Sequence, residues 1–420
     1  MDITQVSAEE YVKKYYRLKS IHELSAMSFQ ERMETASSLM DGICENHLYH
    51  YRRVFTSGSS PHARIKGAPA EMINLASNDY LNLTKHPQII EAGIEALKQY
   101  GVGSGSVPML AGTTDLHVQL EKRLAQFLEY ESVILYNSGY AANYGVLTAL
   151  LTSADVAILD TLVHASLVDG CGHSNKLYFL HNDLVSLEIS LQKASKYANK
   201  LVIVDGIYSM DGDIALLSQI ISLAHSYGAM VLVDDAHATG VMGKNGRGSQ
   251  SHLHIREKAE IVSGSFGKAL MGVGGFVAGS SKLINYLELV SRPYHFSSSL
   301  PPNVTASLIK ALDILESDTH ILAKLWQNIH YFKKRLLELG FNVSSSQSAI
   351  FPIILGNELM VLRLCAELYR CGILVNPIVF PVVPKRKSRL RLSITAGLTQ
   401  TDLDYSLDHL GRLSHKLGIL

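Results

Sequence analysis

The sequence predicts an α/β protein built on a largely parallel sheet, and three observations predict it. Short apolar runs recur at 133–136, 156–159, 201–204, 230–233, 261–262 and 274–278. Helix-like stretches separate several of them, such as 214–227 between LVIVD and MVLVD. Apolar strands alternating with helices form sheets that are covered on both faces. Polar residues then close four of these runs: Asp160, Asp205, Asp234 and Ser263. Open α/β sheets bind ligands outside the carboxyl ends of their strands, so this is the predicted chemical edge.

The remaining elements follow in chain order. Residues 1–55 are rich in helix formers and hold no glycine between Met1 and Met40, which predicts a helical extension. The stretch GSSPHARIKGAP at 58–69 has the composition of a loop or hairpin. An amphipathic helix is predicted over 304–340 with a break near Ser317. Beyond it, an apolar run at 350–355, a helix at 359–370 and a strand at 389–394 describe a smaller α+β domain. The predicted division is an N-terminal helical extension (1–55), a large domain (56–300) and a small C-terminal domain (301–420).

Composition narrows the function. The 420 residues are 47% hydrophobic and 18% charged, which is globular rather than disordered. Lys plus Arg and Asp plus Glu both number 38, so nothing drives the chain toward nucleic acid. The four scattered cysteines, Cys44, Cys171, Cys365 and Cys371, suit a reducing compartment. The N-terminal MDITQVSAEEYVKKYYRL lacks the apolar core of a secretory signal. No run nears the roughly 18 apolar residues of a membrane span. The expectation is a cytoplasmic protein whose contact with membranes is at most peripheral.

Chemistry concentrates in VDDAHATG (233–240), SGSFGKAL (263–270) and the Gly-rich GVGSGSVPMLAGT (101–113). Lys268 follows a strand and sits among small residues, although a surface lysine in a Gly/Ser loop would look the same. The segment is not a phosphate-binding Walker loop, because Val262 stands where its first Gly belongs and Ala269 replaces the Ser/Thr. The 101–105 run fails the dinucleotide pattern because Ser106 ends it and no strand precedes it. Asp234 closes the apolar run MVLV, where a carboxylate needs a cation or donor, and a protonated pyridine nitrogen is one such partner. A turn or capping role suits Asp235 better than it suits both aspartates. His237 with Asp234 makes a poor metal set, so no metal is expected.

Seven motifs carry a resemblance: LASNDYLNL (75–83), NSGYAAN (137–143), DGIYSMDGDIA (205–215), VDDAHATGVMGKNGRG (233–248), GSFGKAL (264–270), SRPYHFSSSLPP (291–302) and VNPIVFPVVPKRKSRLRLSITA (375–396). Together they resemble the α-oxoamine synthases, a family of pyridoxal-phosphate enzymes of the fold type I transferase class. The resemblance runs from Asn74 to the C-terminus. It implies that Lys268 holds pyridoxal 5'-phosphate as a Schiff base, that Asp234 holds the ring-nitrogen proton and that His237 bonds the phenolic oxygen. It implies His164 stacked on the ring with Asp205 beside it, and Ser209 near the phenolic oxygen. Gly139, Tyr140 and Ser265 would bind the phosphate, joined by Ser297 and Ser298 from a partner subunit, so a homodimer is implied. Asn78 and Arg391 match the substrate-carboxylate ligands; Arg389, on the same strand face, is the alternative.

The implied reaction joins Gly, Ala or Ser to an acyl-CoA, with Lys268 as general base, releasing CoA and usually carbon dioxide. An aminotransferase of the same fold would use Lys268 identically but without CoA. VNPIVFPVVP is closer to the serine palmitoyltransferase and 8-amino-7-oxononanoate synthase branches than to the 2-amino-3-ketobutyrate ligase branch. Pro108 departs from the pattern, since relatives often place Arg or His there and proline supplies neither donor nor charge.

Overall fold

The computed structural model describes residues 25–45, 50–68 and 70–420, which fall into two compact units. One unit comprises Met1–Ser77 with Gln327–Leu420, and the other is Asn78–Trp326. Residues 56–77 therefore group with the C-terminal segment, and residues 301–326 with the larger unit. The predicted helical extension is described only in its second half, as the helix Phe29–Glu45; residues 1–24 lie outside the described set.

Strands are numbered along the chain. The smaller unit opens with β1 (His62–Ala63) and β2 (Met72–Asn74), which pair antiparallel. The stretch expected as a loop or hairpin thus forms the first arm of a short hairpin.

The larger unit contributes β3 (Ser132–Tyr136), β4 (Val156–Asp160), β5 (Asn175–Phe179), β6 (Lys200–Asp205), β7 (Met230–Asp234), β8 (Ile261–Ser265) and β9 (Gly275–Gly279). They form one sheet in the order β3-β9-β8-β7-β6-β4-β5. The pairs among β5, β4, β6, β7 and β8 are parallel, and β9 runs antiparallel to both its neighbours. Val156, Ala157, Ile158 and Leu159 are fully buried, as strands covered on both faces require. Each large apolar side chain so placed contributes on the order of 2 kcal/mol. β5 has no counterpart among the expected strands. It is an edge strand with the sequence NKLYF, and its polar, half-exposed residues hide it from an apolar-run criterion.

The helix expected at 214–227 begins at Leu217, because Ile207 and Ile214 first bridge across a tight loop. The expected break near Ser317 is present, between helices Pro302–Ser317 and Thr319–Glu338.

In the smaller unit β10 (Ile350–Gly356), β12 (Asn376–Ile378) and β13 (Ser388–Ser393) form an antiparallel sheet, with β13 central. β11 (Ile373–Leu374) joins β2 instead, in parallel. The helix Glu358–Arg370 packs against these strands.

Candidate active site

Three strands of the larger unit end in buried carboxylates. Asp205 on β6 lies in register with Asp234 on β7, and Asp234 with Ser263 on β8. Asp160 ends β4 on the other side of β6 and is fully buried. Burial pushes the Asp205 carboxyl well above the usual range, and its neighbours Asp234 and Asp160 push the same way. The His164 N–H and the Lys268 charge oppose that shift, which places Lys268 within electrostatic reach of Asp205.

A chain of hydrogen bonds connects Asp234 to His164. Asn143 Nδ2 donates to Asp234 Oδ2 at 2.6 Å and to Ser166 Oγ at 2.9 Å. Ser166 in turn lies 2.7 Å from His164 Nδ1. The Ser166 N–H also donates to His164 Nδ1, at 3.3 Å, so Ser166 holds the ring by two contacts. The His164 N–H donates to Asp205 Oδ1 at 3.2 Å. The histidine expected to stack on a ring is therefore fixed to both carboxylates. Asn143 and Ser166 were given no role by the sequence; Asn143 stands in the NSGYAAN motif and Ser166 lies two residues after His164.

The LASNDYLNL segment supplies a second set of contacts. The Tyr80 hydroxyl lies 2.8 Å from His237 Nδ1 and 3.3 Å from Asn78 Oδ1. Tyr80 thus joins two predicted site residues, although nothing in its sequence position marked it. Asp235 behaves as the turn residue expected of it, accepting from the Ser249 N–H at 2.9 Å and from the Ser249 hydroxyl.

Backbones converge where a phosphate would sit. Ser138 caps the helix Gly139–Leu150 by accepting from the Ala141 N–H at 3.0 Å. A Cβ on Gly139 would meet the Ser265 Cβ at 2.7 Å, and one on Gly275 would meet the Gly139 Cα at 2.6 Å. Only glycine permits this approach of β8 and β9 to a helix N-terminus, which is an anion-binding place. Tyr140, the second residue of the helix, has its hydroxyl bonded to Asp169 and its ring edge-on to His164. Lys268 is half-buried in the following loop and its carbonyl accepts from the Met271 N–H at 2.9 Å. Ser209 lies in the 206–215 loop after β6, half-buried.

Ser297 is half-buried and Ser298 exposed, and both line a pocket with Pro108 and Asn137. Pro108 opens a π-helical turn, Pro108–Gly112, beside the serine segment, where Ser299 N–H donates to the Ser106 carbonyl at 3.1 Å. In the smaller unit, Arg389 and Arg391 are both buried on β13, with side chains on one strand face. Arg391 donates to Ser393 Oγ at 3.0 Å and Arg389 to the Lys387 carbonyl at 3.0 Å.

The family model for aminotransferase class I and II matches residues 70–410. An 8-amino-7-oxononanoate synthase of Thermoanaerobacter pseudethanolicus is 40% identical over 406 residues, covering 96% of this chain and 100% of the relative. Another from Bacillus pumilus is 42% identical over 351 residues, covering 83% and 90% respectively. Among solved structures, a serine palmitoyltransferase from S. paucimobilis superposes with a TM-score of 0.90 at 30% identity, covering 94% of this chain and 100% of that one. An 8-amino-7-oxononanoate synthase from Francisella tularensis gives 0.72 at 27% identity, covering 83% and 99%.

Proposed function

The chain belongs to the aminotransferase class I and II family and, within it, to the α-oxoamine synthases, and from that premise we propose that it condenses a small amino acid with an acyl-CoA using pyridoxal 5'-phosphate. The observation that carries the proposal is the row of buried carboxylates at adjacent strand ends, with Lys268 in electrostatic reach.

The residues present fit the cofactor. Two neighbouring buried carboxylates call for a cation, which a protonated pyridine nitrogen supplies. Asn143 Oδ1 and Ser263 Oγ, beside Asp234, are buried polar atoms without a protein partner. Gly139 and Gly275 let β8 and β9 pack directly against a helix N-terminus, where any Cβ would clash with Ser265 or Gly139. When bound, pyridoxal phosphate supplies an electron sink for the bond pair released at the amino acid Cα.

The chain's own residues do the rest. Asp234 holds the ring-nitrogen proton, and Asn143 fixes the carboxylate that holds it. His237 and Ser209 serve the phenolic oxygen, and His164 covers the ring face, oriented by Ser166 and by the Asp205 carboxylate. The backbone N–H groups of Gly139 and Tyr140, with Ser265 Oγ, bind the phosphate. Lys268 Nζ takes the Cα proton and later returns one to carbon. Arg391, with its planar fork, suits a substrate carboxylate, the role that the resemblance implies for it and for Asn78.

The assembly is a homodimer in which Ser297 and Ser298 serve the partner's phosphate site. The exposure of Ser298 supports this, as does Phe296 beside the pair, which is 73% exposed. Sedimentation at micromolar protein should give twice the chain mass. No described helix is long and apolar enough to cross a membrane.

The substrates follow from the curated relatives. In 8-amino-7-oxononanoate the amine sits on a carbon that bears a methyl group and adjoins the ketone. Decarboxylative condensation makes that unit from alanine and the remainder from a dicarboxylic acyl-CoA. We therefore assign alanine and a dicarboxylic acyl-CoA as preferred substrates. The test is a matrix of Gly, Ala and Ser against short, long and dicarboxylic acyl-CoAs, scored by release of free CoA thiol. Alanine with the dicarboxylic thioester should be turned over fastest. Amino-group exchange with a keto acid and no thiol release would establish an aminotransferase instead.

A further inference from the structure

His181 and Asn182 follow β5, at the edge of the larger unit's sheet, and neither has been given a role. His181 Nδ1 lies 3.1 Å from Asp160 Oδ2, and Nε2 lies 2.7 Å from Asp213 Oδ2. The ring meets Tyr208 edge to face at 4.3 Å between centroids. Asn182 repeats the same pair of contacts. Its N–H donates to Asp160 Oδ2 at 3.1 Å, and its Nδ2 to Asp213 Oδ2 at 3.2 Å and the Ile214 carbonyl at 3.1 Å. Its Oδ1 accepts from the Leu216 N–H at 3.1 Å.

These bonds tie together two loops that both lead into the proposed site. Asp160 begins the short connection to His164, and its Oδ1 also accepts from the Leu162 N–H at 2.8 Å. Asp213 closes the 206–215 loop that carries Ser209, a loop pinned by the Ile207–Ile214 bridge and the Tyr208 N–H to Asp213 carbonyl bond. A histidine with a carboxylate on each ring nitrogen uses both nitrogens as donors, which only the imidazolium can do. Its flanking aspartates hold it cationic, with its pKa pushed up to about 10 despite the opposing effect of burial.

We propose that His181 is a positioning residue for the cofactor site, an imidazolium that clamps the His164 loop and the Ser209 loop between Asp160 and Asp213. This inference rests on the assignment of pyridoxal phosphate to Lys268. The clamp also sets charge at the edge of the site. The carboxylates run Asp160, Asp205, Asp234 along adjacent strand ends, and His181 is the cation that balances the outermost. The groups facing His181 are Asp160, Asp213 and Tyr208; those facing Asp205 are Asp234, Asp160, His164, Tyr208 and Lys268.

Two variants with opposite charge changes separate this role from a purely structural one. His181→Gln removes the positive charge that balances Asp160 at the end of the carboxylate row. The pH midpoint of the bound cofactor's visible absorbance change should therefore rise by about half to one unit. Asp213→Asn removes a negative charge while keeping the loop's shape, so the midpoint should fall by a smaller amount. In the cofactor-free protein, nitrogen NMR should show both His181 ring nitrogens protonated at neutral pH. Midpoints unchanged in both variants, with only a lowered Tm, would overturn the inference, as would a neutral His181. Should His181→Gln not fold, the Asp213→Asn shift and the NMR signal decide the matter. If the parent protein shows no cofactor band at all, the pyridoxal phosphate assignment itself fails, and this inference with it.

Discussion

The strand-end edge of the larger unit and its 104–112 turn are built on opposite plans. At the strand ends, Asp160, Asp205 and Asp234 are buried and hydrogen-bonded, with Asp205 level with Asp234, and glycines bring the backbones of β8, β9 and a helix within contact. The 104–112 turn is a π-helical excursion at the surface, with Leu110 81% exposed and Pro108 supplying no donor. The first region is closed in by backbone and side chain, whereas the second, apart from the tightly packed Gly112, presents side chains to solvent. On the proposed function, cofactor chemistry would be fixed by the sheet and substrate choice would be left to loops around it.

Lys268→Ala should break the comparison on the sheet side most severely. We expect thiol release to fall by at least roughly 10³-fold, measured by single-turnover kinetics, with the cofactor's covalent absorbance band lost. Asp234→Asn should cost about 10²-fold in kcat by weakening the hold on the ring-nitrogen proton, with far-UV circular dichroism unchanged. Gly139→Ala drives a methyl group toward Ser265, and cofactor titration should show about tenfold weaker binding. On the loop side, Pro108→Arg should leave cofactor binding alone. Its effect should be a shift of a few-fold in relative kcat/KM toward acyl chains that end in a carboxylate. Equal losses for every acyl chain would place Pro108 in the scaffold instead.

Asp235 supplies the control with the smallest effect on activity. Burial raises its carboxyl to about 6, above the ordinary 3.8 of an unfolded chain. A folded pKa above the unfolded one means that the fold favours the protonated form. Its contribution to stability grows as pH falls from about 6 toward 3.8 and is lost as pH rises through that window. Asp235→Asn should flatten the stability profile in that window, read by denaturant melts, while retaining cofactor. Loss of cofactor would move Asp235 from the scaffold into the site.

How much of this was legible depended on what burial does to a residue type. Asp205 and Asp234 were legible because a carboxylate closing an apolar run has few ordinary explanations. Gly139 was legible within its motif, although the reason for it, the approach of Ser265 and Gly275, needed three dimensions. Asn143, Ser166 and Tyr80 were not legible as site residues. Each acts through another side chain rather than at an element end, and hydrogen-bond partners 91 or 157 residues away leave no trace in spacing. The edge strand β5 escaped for a different reason: only Phe179 of it is buried, and its polar residues break the apolar run. The hairpin strands β1 and β2 belong with a strand some 300 residues later, Ile373 pairing with Ile73, a grouping no local pattern reports.

The central claim is that Lys268 carries the cofactor. Borohydride reduction of the purified holoprotein, followed by proteolysis and mass spectrometry, tests it directly. The account predicts one phosphopyridoxyl group per chain, on the peptide that contains Lys268. The group on a different lysine, or on none, would contradict it.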